Sequence, residues 1–304
     1  MPAHLVVGGG DHSARVASRL VAGAAPHRRV LRPARETPFV DPVVTTVEGH
    51  LDHVLSALDL PAPVVADLIA AVLPSDLSDL LGLARALTQA EAAGDELVAD
   101  VDIEVARLLC MPQRVAGAFA AFVPVIARWE VLVAPEGIGA LPVPTHPLLT
   151  ALREGTELLE GLDRSLADAD ATALHLAAPG GPVGAARRAD AEVLLALMGR
   201  TLTAVHPGGG AGVEYLPAAP AEGPPRPQRG PDGTWLLHIG VPGVRAADLD
   251  LVRHDDELVL GCAGRTRRLR LPSVLRWCDI DRAGVAGGVL TLTMTPDAAV
   301  WPRG

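Results

Sequence analysis

The sequence predicts an α/β region in which strands alternate with helices, followed by a small all-β region. Three observations carry this. Short apolar runs alternate with segments of helical apolar spacing up to residue 205, a proline, glycine and alanine stretch fills 206–232, and beyond it the hydrophobic period becomes two. At 304 residues and 49% hydrophobic, the chain fills one large core and a small second one. The expected divisions are 1–205, a linker at 206–232, and 233–304.

Residues 5–7, "LVV", read as a short buried strand, Gly8, Gly9 and Gly10 as a tight turn, and 14–24 as a helix with Val16 and Leu20 on one face. Helical faces recur at Leu51, Val54, Leu55 and Leu58, then at Val64, Val65, Leu68, Ile69 and Val72, with "LPAP" separating the two. A third helix carries Leu77, Leu80, Leu81, Ala84 and Leu87, and "GDELVAD" reads as a loop entering a strand. The run "EVARLLCMPQRVAGAFAAFVPVIARW" is helical by composition, with breaks expected at Pro112 and Pro124. A long helix follows, with Leu148, Leu152, Leu159, Leu162 and Leu166 on its apolar face. Residues 171–181 read as a buried strand and turn, 187–200 as an amphipathic helix, and "TLTAV" as a strand. This alternation implies a mostly parallel sheet. In the last region "TWLLHIGVPG", "DLDLVRH", "ELVLGCA", "RTRRLRLP" and "GVLTLTMTP" alternate in and out between turns, as in a β-sandwich.

Composition excludes several function classes. Twenty-six basic against thirty-six acidic residues leave a formal charge of −10, which repels a nucleic-acid backbone. Cys110, Cys262 and Cys278 are odd in number and far apart, so they propose neither a disulfide framework nor a metal knuckle, and a cytoplasmic setting is expected. No stretch reaches the ~20 apolar residues of a membrane span, and Asp11 and the glycines interrupt any signal-peptide core. The chain contains no lysine and no asparagine. No mechanism that needs a side-chain ammonium is open to it.

Two resemblances follow from these residues. The segment "VPGVRAADLDLVRHDDELVLGCAG" with "AGGVLTLTMTP", in which Gly288, Val289 and Leu290 keep the signature positions, resembles a small heat-shock (α-crystallin) domain. The N-terminal part resembles the ArsA-type anion-pump and tail-anchored-protein-targeting ATPases, in the actinobacterial form with an α-crystallin-like tail. The glycine turn, "VLPSDLSDLLGLARALTQA", "LVADVDIEVARLLCMPQ" (with Glu104, Arg107, Leu108, Leu109 and Pro112 in place) and "ATALHLAAPGGPVGAARRADAEVLLALMGRTLTAV" carry it in order. The resemblance implies a shortened P-loop-NTPase-like sheet.

A working loop of that class reads G-x-x-x-x-G-K-[ST], with the lysine on phosphate oxygens and the hydroxyl on Mg²⁺. Counted from Gly8, Ser13, Ala14 and Arg15 stand at the glycine, lysine and Ser/Thr positions. The family's prolines and threonine are missing from "DVDIE", and "AVHPG" replaces its adenine-contacting "V-N-R". The expected function is therefore a non-catalytic, chaperone-like protein-binding factor, or a pseudo-subunit beside an intact ArsA-like ATPase, in a homo- or hetero-oligomer without cofactor. The competing reading is an ATP-dependent ATPase using ATP and Mg²⁺ at an atypical loop. Gly8, Gly9, Gly10, Ser13 and Arg15 are the remnant-loop candidates; their plain reading is a strand-to-helix turn, and weak anion binding is the other.

Further candidates are weighed the same way. "EGHLDH" sets His50 and His53 on one helical turn, but a metal needs three or more convergent ligands. Arg265, Arg267, Arg268 and Arg270 form a basic strand, either a charged edge or a dock for an acidic partner. Val289 and Leu290 are candidates for a partner contact as well as for the core.

Overall fold

The computed structural model describes residues 3–8, 10–22, 28–31, 41–56, 60–73, 76–102, 112–133, 145–168, 170–197, 199–200, 202–208, 212–216, 227–230 and 232–297. The chain divides into two compact units, Met1–Ser165 and Leu166–Gly304.

In the first unit β3 (Glu96–Asp102) lies between β1 (Ala3–Gly8) and β2 (Arg28–Leu31), and all three run parallel. Leu5, Val6, Val7, Val98 and Ala99 are buried, the continuous apolar run of a strand covered on both faces. Helix α1 spans Gly10–Ala22, so it begins earlier than the apolar spacing suggests; Asp11 in its first turn suits the positive end of the helix dipole. Helix α2 (Pro42–Ser56) also begins earlier, because the β-branched run "PVVTTV" hides it. Asp41 caps it, its Oδ1 accepting the Val43 N–H at 2.9 Å, with Pro42 at the first helical position. Helix α3 (Ala62–Val72) and helix α4 (Leu77–Ala93) follow as expected.

Helix α5 (Pro112–Val133) runs through Pro124, where the sequence suggests a break. A proline removes one hydrogen bond, yet the helix continues past it through Val125 and Ile126 to Val133. Residues 103–111, which hold Glu104, Arg107, Leu108 and Leu109, lie outside the described residues. Helix α6 (Thr145–Ala167) buries Leu148, Leu152, Leu159 and Leu162, the face that the spacing predicts. A Cβ on Gly155 of α6 would stand 2.6 Å from the Phe119 ring of α5 and 3.1 Å from Val43 of α2, so the bare glycine lets these helices converge.

A polar centre joins the same helices. Arg85 of α4 donates from Nε to Asp41 Oδ2 at 3.3 Å and from Nη1 to Glu154 of α6 at 2.7 Å. The Asp41 side chain is fully buried, so its charge is tolerable only with this partner and its cap bond.

The second unit opens with β4 (Thr172–Ala178), helix α7 (Gly181–Leu197) and β5 (Ala204–Pro207), with β4 and β5 parallel, then adds β6 (Glu214–Tyr215) antiparallel to β5. Beyond it two antiparallel sheets form. One has the order β11-β10-β9, from β9 (Asp250–His254), β10 (Glu257–Cys262) and β11 (Arg265–Arg270). The other has the order β12-β13-β8-β7, from β7 (Pro227–Arg229), β8 (Trp235–Gly240), β12 (Cys278–Ala286) and β13 (Val289–Pro296). Leu237, Ile239, Leu258, Leu260, Leu290 and Leu292 fill the core, at alternate positions along their strands. Ala196 and Leu197 of α7 belong to that same core, so packing crosses the proline-rich stretch instead of stopping at it.

Two outcomes follow for the first unit. Asp41→Ala removes a helix cap and leaves Arg85 with one acid fewer; a loss of about 2–4 kcal/mol in urea unfolding is expected. His50 is buried, and desolvation, then the charge of His53, hold its pKa below the ordinary histidine range. The fold therefore keeps it neutral. Its contribution is whole above the unfolded value of about 6.5 and falls as pH drops below that, because the unfolded chain binds a proton that the native state resists. Stability measured downward from about pH 7 should decline less steeply in His50→Gln than in the parent chain.

Candidate functional site

The carboxyl ends of parallel strands beside a helix N-terminus are where α/β folds bind ligands. Here β1 ends at Gly8, which stands beside Asp102 of β3 in register. Gly10 is already the first residue of α1; Gly9 lies outside the described residues. Ser13 is fully buried within α1. Arg15 is exposed, and its Nε donates to the Asp11 carbonyl at 3.1 Å, back along its own helix. Gly10, Ser13 and Arg15 are thus helical, and the stretch that would wrap a phosphate in open backbone is wound instead. An acidic residue, Asp11, stands in the first turn of α1.

The second unit holds the more developed geometry. Along β11, residues Arg265, Arg267 and Leu269 alternate with the exposed Thr266, Arg268 and Arg270. In register they stand beside Cys262, Leu260 and Leu258, whose side chains are buried in the core, so the two arginines are on the inward side. Helix α7 meets them there. Arg265 donates from Nε and Nη2 to Asp190 at 2.6–2.9 Å, engaging both carboxylate oxygens. Arg267 donates to the Leu197 carbonyl at 2.7 Å. That carbonyl belongs to the last turn of α7, where no helical N–H remains to answer it.

The end of α7 is shaped for this seat. Gly199, at φ +70°, donates to the Ala196 carbonyl and Arg200 to the Leu195 carbonyl, a left-handed glycine closure. A Cβ on Gly199 would stand 3.3 Å from the Gly240 carbonyl, so the turn lies directly against the end of β8. Arg188 pairs with Glu192 one turn along α7 at 2.7 Å and ties the helix to Glu214 of β6 at 2.6 Å; these bonds push its pKa upward, and the bond to Arg188 pushes that of Glu214 downward.

Beside this junction lies a cleft of about 500 Å³, with Val193, Leu202, Leu216, Pro242, Val244 and Cys262 among its lining and Glu192, Arg200 and Asp248 as its charges. Burial, then the carboxylates of Asp248 and Asp250, raise the Cys262 thiol; burial first raises that of Cys278. Neither is a thiolate near neutral pH, so neither is prepared as a nucleophile or metal ligand.

The other sequence candidates separate. Leu290 is 2% exposed and belongs to the sandwich core, while Val289 opens β13 beside Gly240. His50 faces inward, and among the described residues no three His, Cys, Asp or Glu side chains converge as a metal site. Sequence reasoning missed the Arg265–Asp190 and Arg267–Leu197 contacts. A signal for them exists: the two arginines fall in phase with Leu269 and Leu271 on the inward positions of the strand.

Residues 232–294 match the family model described as an HSP20-like domain found in ArsA. Over 87 residues the chain is 40% identical to the uncharacterized protein SCO2128 of Streptomyces coelicolor, covering 29% of this chain and 22% of that protein. Over 68 residues it is 40% identical to protein Rv2184c of Mycobacterium tuberculosis, covering 22% of this chain and 16% of that protein. The chain therefore spans about a fifth of the length of these relatives. No helix among the described residues is long and apolar enough to cross a membrane.

The junction separates apolar from ionic contributions by magnitude. Leu197→Ala, at a fully buried position, should cost about 2–4 kcal/mol in urea unfolding. Asp190→Ala should cost under about 1 kcal/mol, because its ion pair with Arg265 is reached by solvent.

Proposed function

We propose that this chain is an ArsA-related, non-catalytic factor that binds another protein through its HSP20-like sandwich, either in a chaperone-like role or as a pseudo-subunit beside an intact ATPase relative. In this reading residues 1–205 descend from a nucleotide-binding α/β domain, 206–232 serve as connection, and 233–304 are the binding module of a cytoplasmic oligomer.

The observation that carries the reading is the helical winding of Gly10, Ser13 and Arg15, with Ser13 buried. Phosphoryl transfer needs a cradle of backbone N–H groups and a cation on the transferring phosphate. Lysine is absent from the whole chain, and the nearby Arg15 guanidinium turns to its own helix. Asp11 near the turn adds negative charge where a phosphate would sit. The HSP20-like match supplies the positive half of the proposal, a sandwich of the kind that works through protein contacts.

Titration calorimetry of the full chain with ATP and Mg²⁺, paired with phosphate-release assays, tests this. Neither saturable heat nor turnover is expected. Micromolar binding that Arg15→Ala abolishes, or turnover above background, would sink the proposal in favour of an ATPase with an atypical loop.

A further inference from the structure

The edges of the sandwich are β11, β9, β12 and β7, and they are not equivalent. An edge strand offers unpaired N–H and C=O groups to any chain that can lie beside it, and charge, proline, shortness and bulges are the usual protections. Strand β11 presents Arg268 and Arg270 on its exposed face, so a second copy beside it brings like charges together. Strand β7 is three residues long and begins with Pro227. The register of β12 against β13 shifts between Ile280 and Arg282.

Strand β9 has no proline and no bulge, and its charges are of both signs. Its five residues, "DLVRH", pair without interruption with β10, from Asp250 beside Gly261 to His254 beside Glu257. Leu251 is partly buried against the core. Arg253 turns inward, donating to the Arg276 carbonyl at 2.9 Å and to the Cys278 carbonyl. Asp250, Val252 and His254 are exposed, Val252 at 47%. The hairpin turn at Asp255 and Asp256 closes directly on His254 and Glu257. In a turn of that length the flanking residues form a hydrogen-bonded pair, and alternation then points the peptide groups of Leu251 and Arg253 away from β10, toward the open side.

We propose that β9 is a self-pairing edge, through which two copies of this chain join antiparallel about a two-fold axis at Val252. The backbone parity fits: Leu251 and Arg253 of one copy exchange N–H···O bonds with Arg253 and Leu251 of the other. Val252 meets its own counterpart in the close, non-hydrogen-bonded position, with Cβ atoms about 4.5–5.5 Å apart. Asp250 then stands opposite His254 of the second copy, and symmetry supplies the contact twice. A carboxylate opposite an imidazole is complementary whether the imidazole is charged or donates as the neutral ring. The complementarity lies within one strand, because Asp250 and His254 are equally far from Val252. This singles out a second copy as occupant, in an isologous contact. Trp277 stands in sequence between the two carbonyls that hold Arg253, and it is 46% exposed. The pairing is independent of whether the N-terminal turn binds nucleotide.

Sedimentation of the full chain over a concentration series tests the proposal, and a monomer–dimer equilibrium is expected. His254→Asp sets two carboxylates opposite each other and Asp250→Arg removes the acceptor that faces the imidazole; each should weaken the dimer about tenfold, and the double exchange should restore it. Val252→Cys should give a covalent dimer under mild oxidation, absent from the parent chain and from Thr266→Cys on β11. These positions are exposed, and unchanged urea midpoints would verify that the variants fold. A chain that stays monomeric, a dimer indifferent to the charge reversals, or equal cross-linking at positions 252 and 266 would each overturn the proposal.

Discussion

The second unit depends on how the last turn of α7 meets the sandwich. A helix ends with carbonyls that its own backbone cannot answer, and an inward-facing arginine needs acceptors that an apolar core lacks. The Arg267–Leu197 hydrogen bond meets both needs at once. It also fixes Leu197 in the core, where its side chain is fully buried. Without α7, Arg265 and Arg267 would line the inward side of β11 with neither Asp190 nor the helix terminus to receive them. The helix and the sandwich are therefore one packing unit, although the proline-rich stretch separates them in sequence.

Much of this architecture is legible in the sequence, for identifiable reasons. Alternation locates β8 to β11 and β13 because each of these strands buries one face, and a helix does not produce a period of two; β12 escapes it, since its residues 281–284 are all exposed. The α6 leucines are legible because helical spacing over a long segment leaves little ambiguity. The starts of α1 and α2 are not, since glycine and β-branched residues are weak helix formers and only Asp11 and the Asp41–Pro42 cap mark them. Pro124 misleads in the opposite direction. A local penalty suggests a break, and the surrounding helix overrides it.

The candidate site divides in the same way. That Ala14 and Arg15 fall at the lysine and hydroxyl positions of a G-x-x-x-x-G-K-[ST] count from Gly8 can be read from the order of residues. That Ser13 is buried, and that the turn is wound into α1, depends on packing that no local motif records. Likewise the basic strand is visible, but its division into two arginines held by α7 and two exposed ones is a matter of strand phase and of an element distant in sequence.

The absence of lysine gives these contacts their common form. A guanidinium offers five donors in a fixed plane, whereas an ammonium is a point charge on a flexible stem. Arg85 spans Asp41 and Glu154, Arg188 spans Glu192 and Glu214, Arg265 takes both oxygens of Asp190, and Arg253 reaches the carbonyls of Asp255, Arg276 and Cys278. Each joins segments far apart in the chain, and each uses more than one donor to do so. Buried or half-buried arginines engaged in this way are not available to a phosphate. Cationic charge in this protein holds elements together.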